Sequence, residues 1–179
     1  MIAHPDAYAL WTRLESEFDR YHAAIAYIPI DQTRLQDDLR RYLCLRCAGF
    51  LEKLVHLCVH LYLDETSGGP ALEFAKSFFS NAPNLNADSF RRVLARFGDE
   101  HAAGFDAFLT NQRRDSLNDL SSLRNPIAHG DVTGGRKLDP EPYRRLCKEV
   151  YQWLTSELLS PTGVIADFRD SPTESNTLA

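Results

Sequence analysis

The sequence predicts an all-α protein, a bundle of four core helices with shorter helices attached. Apolar residues recur at intervals of three and four along several long stretches, which is the period of an amphipathic helix. No stretch alternates apolar and polar residues for long enough to indicate a half-buried strand. The 179 residues, of which 44% are apolar, fit one globular domain with a substantial core, expected over residues 1–159.

Two long helices are predicted at the start of the chain. The first covers about residues 6–27, where an apolar stripe recurs at helical spacing and Pro29 stops the helix. The second covers about residues 34–63, and Asp31 or Thr33 can cap its start. Its apolar residues spread around most of the circumference, which predicts a central helix with neighbours on several sides.

A polar, glycine-rich break at residues 64–70 separates the central helix from the shorter ones. Helices are then predicted at about residues 71–80, 87–97, 102–109 and 115–125. The last helix begins at Pro140 or Pro142 and runs to about Leu159. Residues 160–179 have little apolar surface to bury, so we expect a disordered tail there.

Charge and hydropathy limit the possible classes of function. The formal net charge of −5 argues against a protein that coats nucleic acid through its overall charge, so any phosphate site must be local. Charged residues or histidines interrupt every apolar run before it could cross a bilayer, and no amino-terminal targeting pattern is present. The sequence therefore predicts a soluble, cytoplasmic protein with no membrane partner.

The chain has four cysteines, Cys44, Cys47, Cys58 and Cys147. The first two form a Cys-x-x-Cys pattern in the middle of a predicted helix. That pattern lacks the second cysteine pair of a zinc site and the strand context of a redox motif. Reduced, buried thiols are therefore the prediction.

Three side chains on the central helix have a spacing that can bind a metal. Glu52, His56 and His60 follow one another at intervals of four residues and share one stripe of the helix. No second helix supplies the Glu-x-x-His partner that a two-metal bundle needs. We therefore expect no metal and no cofactor, and interpret His56 and His60 as partly exposed or interface histidines.

One stretch needs a separate explanation, the run Leu-Arg-Asn-Pro-Ile-Ala-His-Gly at residues 123–130, which closes a leucine-striped helix. Arg124 falls at the edge of the stripe and should point inward. Pro126 disfavours helical geometry at Asn125 and Gly130 permits a left-handed turn, so the helix is expected to end near Asn125. His129 then lies just past the helix end, within a turn of Arg124. An inward arginine needs an anion or a polar partner.

This pattern resembles the signature of the HEPN superfamily. Arg124 and Asn125 form the arginine-polar pair, and His129 follows the arginine after four intervening residues. The sequence form is similar to the RiboL-PSP-like branch, and the resemblance covers roughly residues 35–158. It implies a HEPN-like helical bundle that forms homodimers and acts as a metal-independent endoribonuclease, as a toxin or defence effector.

RNA carries its own nucleophile, the 2′-hydroxyl group, so cleavage needs proton transfer and stabilisation of charge on the phosphate. His129 can act as base or acid near neutral pH, and Arg124 can donate to phosphate oxygens. Asn125 can orient the histidine, the phosphate or the turn. The resemblance makes Glu52 an acidic residue that faces this pair. It also implies a composite active site built from two subunits, and 2′,3′-cyclic phosphate products.

Glu52 and Arg124 also have a purely structural interpretation. Glu52 is the only carboxylate between Asp38 and Asp64, which favours a partner on another helix, and Arg124 is the candidate. The alternatives are local contacts to Lys53, Arg46 or His56, or a solvated position. If the arginine only anchors a helix end, His129 would cap carbonyl groups in the turn.

Two further observations leave the function open. Arg96 and His101 have the same spacing as the motif pair, so spacing alone is weak evidence. Five arginines form either a solvated basic face or a local patch for an RNA backbone: Arg91, Arg92, Arg96, Arg113 and Arg114.

The alternative function is a non-catalytic HEPN module that dimerises and binds nucleic acid or protein. A toxic ribonuclease would also need an antitoxin or regulatory protein as a partner.

Overall fold

A computed structural model describes residues 4–80, 85–128 and 138–159 of the chain. All regular structure in these ranges is helical, which confirms the all-α prediction. The helices are α1 (Pro5–Tyr27), α2 (Thr33–Thr66), α3 (Gly69–Ser77), α4 (Ala87–Leu94), α5 (Asp99–Phe108), α6 (Asn111–Ala128) and α7 (Glu141–Leu159). The tail predicted at residues 160–179 lies outside the described ranges.

The long helix α2 lies at the centre of the bundle and packs against α1, α6 and α7. Its apolar residues are buried on several sides, as their spread around the helix predicts, and Leu43, Leu54 and Cys58 have no exposed surface. Side chains from the four long helices join one buried cluster. Burial of each large aliphatic side chain there stabilises the fold by about 1.5–3 kcal/mol.

The short helices α4 and α5 pack on the bundle through an aromatic cluster. Phe90 of α4 and Phe105 of α5 have ring centroids 4.6 Å apart, and Trp153 of α7 lies 5.5 Å from Phe105. A capping box starts α4, since the Ser89 N–H donates to the Asn86 side chain at 2.8 Å. This cap and the buried rings together position α4 beside α6.

Helix α6 begins earlier than the sequence predicts. Its first residue is Asn111 rather than a residue near 115. The Arg114 N–H donates to the Thr110 carbonyl oxygen at 2.9 Å, and the Arg113 N–H donates to the Thr110 hydroxyl at 3.4 Å. Thr110 therefore satisfies the first free donors of the helix, one turn before the predicted start.

Helix α6 also continues past the predicted end at Asn125, through Pro126, to Ala128. A proline removes one backbone hydrogen bond and disfavours the helical conformation of the preceding residue, but it does not forbid that conformation. Ile127 packs against the core, so burial favours the helical path over an early turn. The turn predicted around Gly130 lies outside the described residues. The other helices lie where they are predicted, with ends displaced by a few residues.

Ion pairs attach α1 to both of its neighbours. Glu17 of α1 is only 6% exposed, and Arg46 of α2 contacts it through Nε and through Nη2, the latter at 2.8 Å from Oε1. Arg144 of α7 donates to both carboxylate oxygens of Glu15, at 2.7 and 2.8 Å. Two-point arginine–carboxylate pairs fix orientation as well as distance, so α1 is held in register on α2 and α7.

All four cysteines are buried and free, which confirms the prediction of reduced core thiols. The Cys147 Sγ lies 3.6 Å from the Cys47 carbonyl oxygen, where α7 packs on α2. None of the helices in the described ranges combines the length and the apolar character needed to cross a membrane.

Candidate functional site

The centre of the candidate site is an ion pair between α6 and α2. The Nε atom of Arg124 lies 3.1 Å from Oε1 of Glu52. This contact confirms the predicted partner of Glu52 and excludes the alternatives on its own helix as its main contact. The Arg124 side chain is 37% exposed and that of Glu52 is 12% exposed. The arginine therefore lies at the edge of the core rather than inside it, as its position at the edge of the leucine stripe allows.

Small and apolar side chains enclose the inner side of this pair. They are Ala48 and Leu51 of α2, Leu120 and Ser121 of α6, and Leu85 before α4. The space left among them is about 10 Å³, at the lower limit of what one water molecule needs. A ligand must therefore approach Arg124 from its exposed side.

Burial and the arginine act in opposite directions on Glu52. Burial raises the pKa of the Glu52 carboxyl above its usual value, and the Arg124 charge partly offsets that rise. The ion pair uses Nε of the guanidinium, whose two terminal nitrogens carry further N–H groups able to donate to an anion. The geometry therefore fits an arginine that is held from behind by a carboxylate and open to a phosphate in front.

The remaining motif residues are only partly described. Asn125 follows Arg124 in the last turn of α6, and its side chain lies outside the described part of the structure. His129 comes directly after Ala128 and is also outside it. The structure thus brings Arg124 and Glu52 together, and the roles expected of Asn125 and His129 stay predictions.

The two histidines after Glu52 form a pair of their own. The rings of His56 and His60 have centroids 4.3 Å apart, and His60 Nε2 lies 3.1 Å from the Phe79 carbonyl oxygen. Both histidines are half-buried, which agrees with the interpretation as partly exposed residues. No group of three or more His, Cys, Asp or Glu side chains within the described ranges is arranged to hold a metal ion.

The pair with the same spacing as the motif has structural contacts. The Arg96 guanidinium lies 5.4 Å from the centre of the Phe79 ring, and His101 Nδ1 lies 2.9 Å from Oε1 of Glu157 on α7. Arg96 follows the end of α4 and His101 lies in the first turn of α5. The two side chains serve separate contacts, so they provide a matched control for the motif pair.

Most of the arginines considered for a basic patch have carboxylate partners. Arg91 Nε lies 2.8 Å from Asp106, Arg113 Nε lies 2.7 Å from Glu149, and Arg114 lies 4.0 Å from Asp88. Ion pairs of this exposed kind are weak, but they neutralise the charge that a phosphate backbone would need. These contacts favour the solvated-face interpretation over an RNA patch on α4 and α6.

Sequence reasoning did not single out Ser121, which lines the space beside the ion pair. Its spacing could have indicated this position, because Ser121 precedes Arg124 by three residues and therefore lies on the same side of α6. No sequence spacing relates Leu85 to Arg124, since Leu85 reaches the site only through the fold of the segment before α4.

Comparison with known proteins finds no matching family model, no matching curated sequence and no matching solved structure.

Proposed function

We propose that the protein is a homodimeric, metal-independent endoribonuclease of the HEPN type. The observation that carries the proposal is the Arg124–Glu52 ion pair, at 3.1 Å. It places the arginine of an Arg-Asn-x₃-His motif on an exposed helix edge with an acidic residue of the central helix behind it. The all-helical fold, in which α2 lies between α1, α6 and α7, agrees with a HEPN-like bundle.

In this proposal each motif residue has one task. His129 removes the proton from the 2′-hydroxyl group, whose oxygen attacks the adjacent phosphorus. Arg124 donates to the phosphate oxygens as negative charge develops on them, and Glu52 keeps the guanidinium oriented. The bond from phosphorus to the 5′-oxygen breaks, and a second His129 protonates that leaving oxygen. The products are a 2′,3′-cyclic phosphate and a 5′-hydroxyl end.

The second histidine comes from the partner subunit, because one chain offers a single histidine in the motif. A symmetric dimer would bring two Arg124 and two His129 side chains into one composite cleft, and symmetric dimers are the commonest assembly. Asn125 would orient the histidine or the phosphate. A ribonuclease of this kind acts as a toxin or defence effector under the control of an antitoxin or regulatory protein.

A second candidate function is a non-catalytic HEPN module that dimerises and binds nucleic acid or a protein. It is favoured by the same ion pair, because Arg124 already has a charged partner in Glu52. A half-buried pair of this kind can serve only to anchor α6 on α2. In that case Arg124 would matter for stability, whereas in the ribonuclease it matters for cleavage.

The test is incubation of purified protein with labelled mixed-sequence RNA in excess EDTA, followed by end-group analysis. We expect cyclic phosphate ends from the wild type and a loss of about 100-fold or more in rate for His129→Ala and Arg124→Ala. Melting temperatures of the same samples separate loss of chemistry from loss of folding.

Arg96→Ala and His101→Ala are the matched controls, because these residues repeat the motif spacing but contact Phe79 and Glu157 instead. They should keep the cleavage rate. Unchanged cleavage in His129→Ala would overturn the proposed chemistry. If intact RNA remains with the wild type while Arg124→Ala lowers the melting temperature, the non-catalytic module is the better description.

A further inference from the structure

A groove between α1 and α2 lies next to the candidate site. Its volume is about 460 Å³, large enough for a nucleotide, and Ala9, Leu10 and Leu57 form its apolar walls. His56 also lines it. His56 follows Glu52 by one helical turn on α2, about 6 Å along the axis, so the groove and the Arg124–Glu52 pair lie on the same side of the central helix.

His56 presents an uncharged aromatic ring to this groove. Burial and the neighbouring His60 both lower the pKa of His56, so its ring is neutral at physiological pH. Its Nδ1 atom is buried and has no hydrogen-bond partner in the part of the chain that the structure describes. A neutral ring beside aliphatic walls is the kind of surface on which a nucleobase stacks.

Two cations lie at the same groove. Lys53 is exposed, and no carboxylate pairs with it among the described residues. Arg13 is 72% exposed and lies 3.6 Å from Glu17, a carboxylate already held by Arg46 at 2.8 Å. Among the described residues that line the groove, Asp6 is the one acidic residue, and its carboxylate lies 3.9 Å from His4. The charges of the described lining residues therefore favour an anionic ligand over a cationic one.

We propose that this groove binds a nucleotide of single-stranded RNA next to the cleaved bond, with the base against His56 and the aliphatic walls and the phosphate on Lys53 and Arg13. Single-stranded RNA is the occupant because stacking on His56 requires an exposed base face, which a duplex does not offer. This inference rests on the proposed function, since it names the form of substrate for the same site.

The test measures binding of the full chain to a fluorescein-labelled 2′-O-methyl oligoribonucleotide by fluorescence anisotropy. This probe lacks the attacking hydroxyl group, so binding is read independently of cleavage. The double variant Arg13→Ala/Lys53→Ala should weaken binding about tenfold and reduce the salt dependence, by about 0.7 in log–log slope for each lost phosphate contact.

The matched control is Arg34→Ala/Lys148→Ala, which removes two exposed positive charges that do not line the groove. It should keep the affinity within about twofold. At His56, substitution by Ala should weaken binding about tenfold, and substitution by Phe should restore it because the ring is retained.

Equal affinity of the groove and control double variants overturns the proposal, as does unchanged binding by His56→Ala or the absence of any wild-type binding. A duplex of the same sequence that binds as tightly, with the same loss in the groove variants, overturns the single-stranded assignment. Cleavage of unmodified RNA is measured separately. If the groove variants weaken binding but the wild type does not cleave RNA, the proposed ribonuclease activity is overturned and the proposed RNA-binding groove is retained.

Discussion

Glu52 and His56 lie one helical turn apart on α2, and burial favours the uncharged form of both. It raises the pKa of the Glu52 carboxyl and lowers the pKa of the His56 imidazole. The two shifts have opposite consequences for stability as the pH falls. Glu52 takes up its proton more readily in the folded chain, whereas His56 takes it up more readily in the unfolded chain.

We predict that His56→Phe makes the protein less sensitive to mild acid. Because the folded-state pKa of His56 is lowered, its contribution to stability is present above the unfolded pKa, about 6.5, and is lost as the pH falls below it. Phenylalanine cannot titrate, and no described hydrogen bond to the buried Nδ1 is lost. Between about pH 7.5 and pH 5.5 the melting temperature of the variant should fall less than that of the wild type, by about 1–3 °C. Parallel decreases in the two proteins would contradict this prediction.

We also predict that the cysteines do not react in the folded protein. Burial raises the pKa of both Cys44 and Cys58 to about 12, so almost no thiolate forms near neutral pH. Intact-mass measurement after treatment with iodoacetamide should show no adduct on the native chain and four adducts after denaturation in guanidinium, one for each cysteine. An adduct on the native protein would show that at least one of the enclosing helices opens.

At the scale of whole helices, the attachment of α1 depends on a buried charge. Arg46→Ala leaves Glu17, which is 6% exposed, without its two-point partner. Arg13 lies 3.6 Å from the same carboxylate but is itself largely exposed, so it compensates only weakly. We expect the free energy of unfolding to fall by about 2–4 kcal/mol, measured by urea denaturation.

The matched control for that prediction is Arg91→Ala, which breaks the pair between Arg91 and Asp106, 49% and 42% exposed. Its effect should stay below about 1 kcal/mol. The double variant Glu17→Leu/Arg46→Met should be more stable than Arg46→Ala, because it leaves no buried charge unpaired. If Arg46→Ala and Arg91→Ala have equal effects, burial does not set the strength of the α1 attachment.

At the scale of the whole molecule, the proposed ribonuclease requires two subunits, and mixing experiments can count them. We predict that adding His129→Ala subunits to the wild type, with time for exchange, reduces cleavage as the square of the wild-type fraction. In an equal mixture about one quarter of the dimers would keep both histidines. The measurement is the initial rate of RNA cleavage at constant total protein.

Lys148→Ala subunits serve as the control for the mixing experiment, since Lys148 is exposed on α7 and lies outside the motif. They should leave the rate unchanged. A linear decrease with His129→Ala would mean that each subunit cleaves alone. Sedimentation velocity of the same mixtures should report a dimer, and a monomer under cleaving conditions would contradict the composite site.

The sequence by itself determined the helices and the buried cysteines, and it made Arg124 a candidate partner of Glu52. Helical periodicity and thiol burial are properties of short stretches, so they can be predicted without the fold. Glu52 is the only carboxylate between Asp38 and Asp64, which favours a partner on another helix, although the sequence also allows local contacts on α2. The HEPN resemblance and the role of His129 stay predictions.

Only the tertiary structure decided which charges meet and where α6 ends. Periodicity does not reveal that Arg46 binds Glu17, that Arg113 binds Glu149, or that Ile127 packs against the core and keeps α6 helical beyond Pro126. These outcomes depend on the relative positions of helices far apart in the sequence, where burial outweighs local backbone preference. The groove of Lys53 and His56 likewise exists only because α1 lies beside α2.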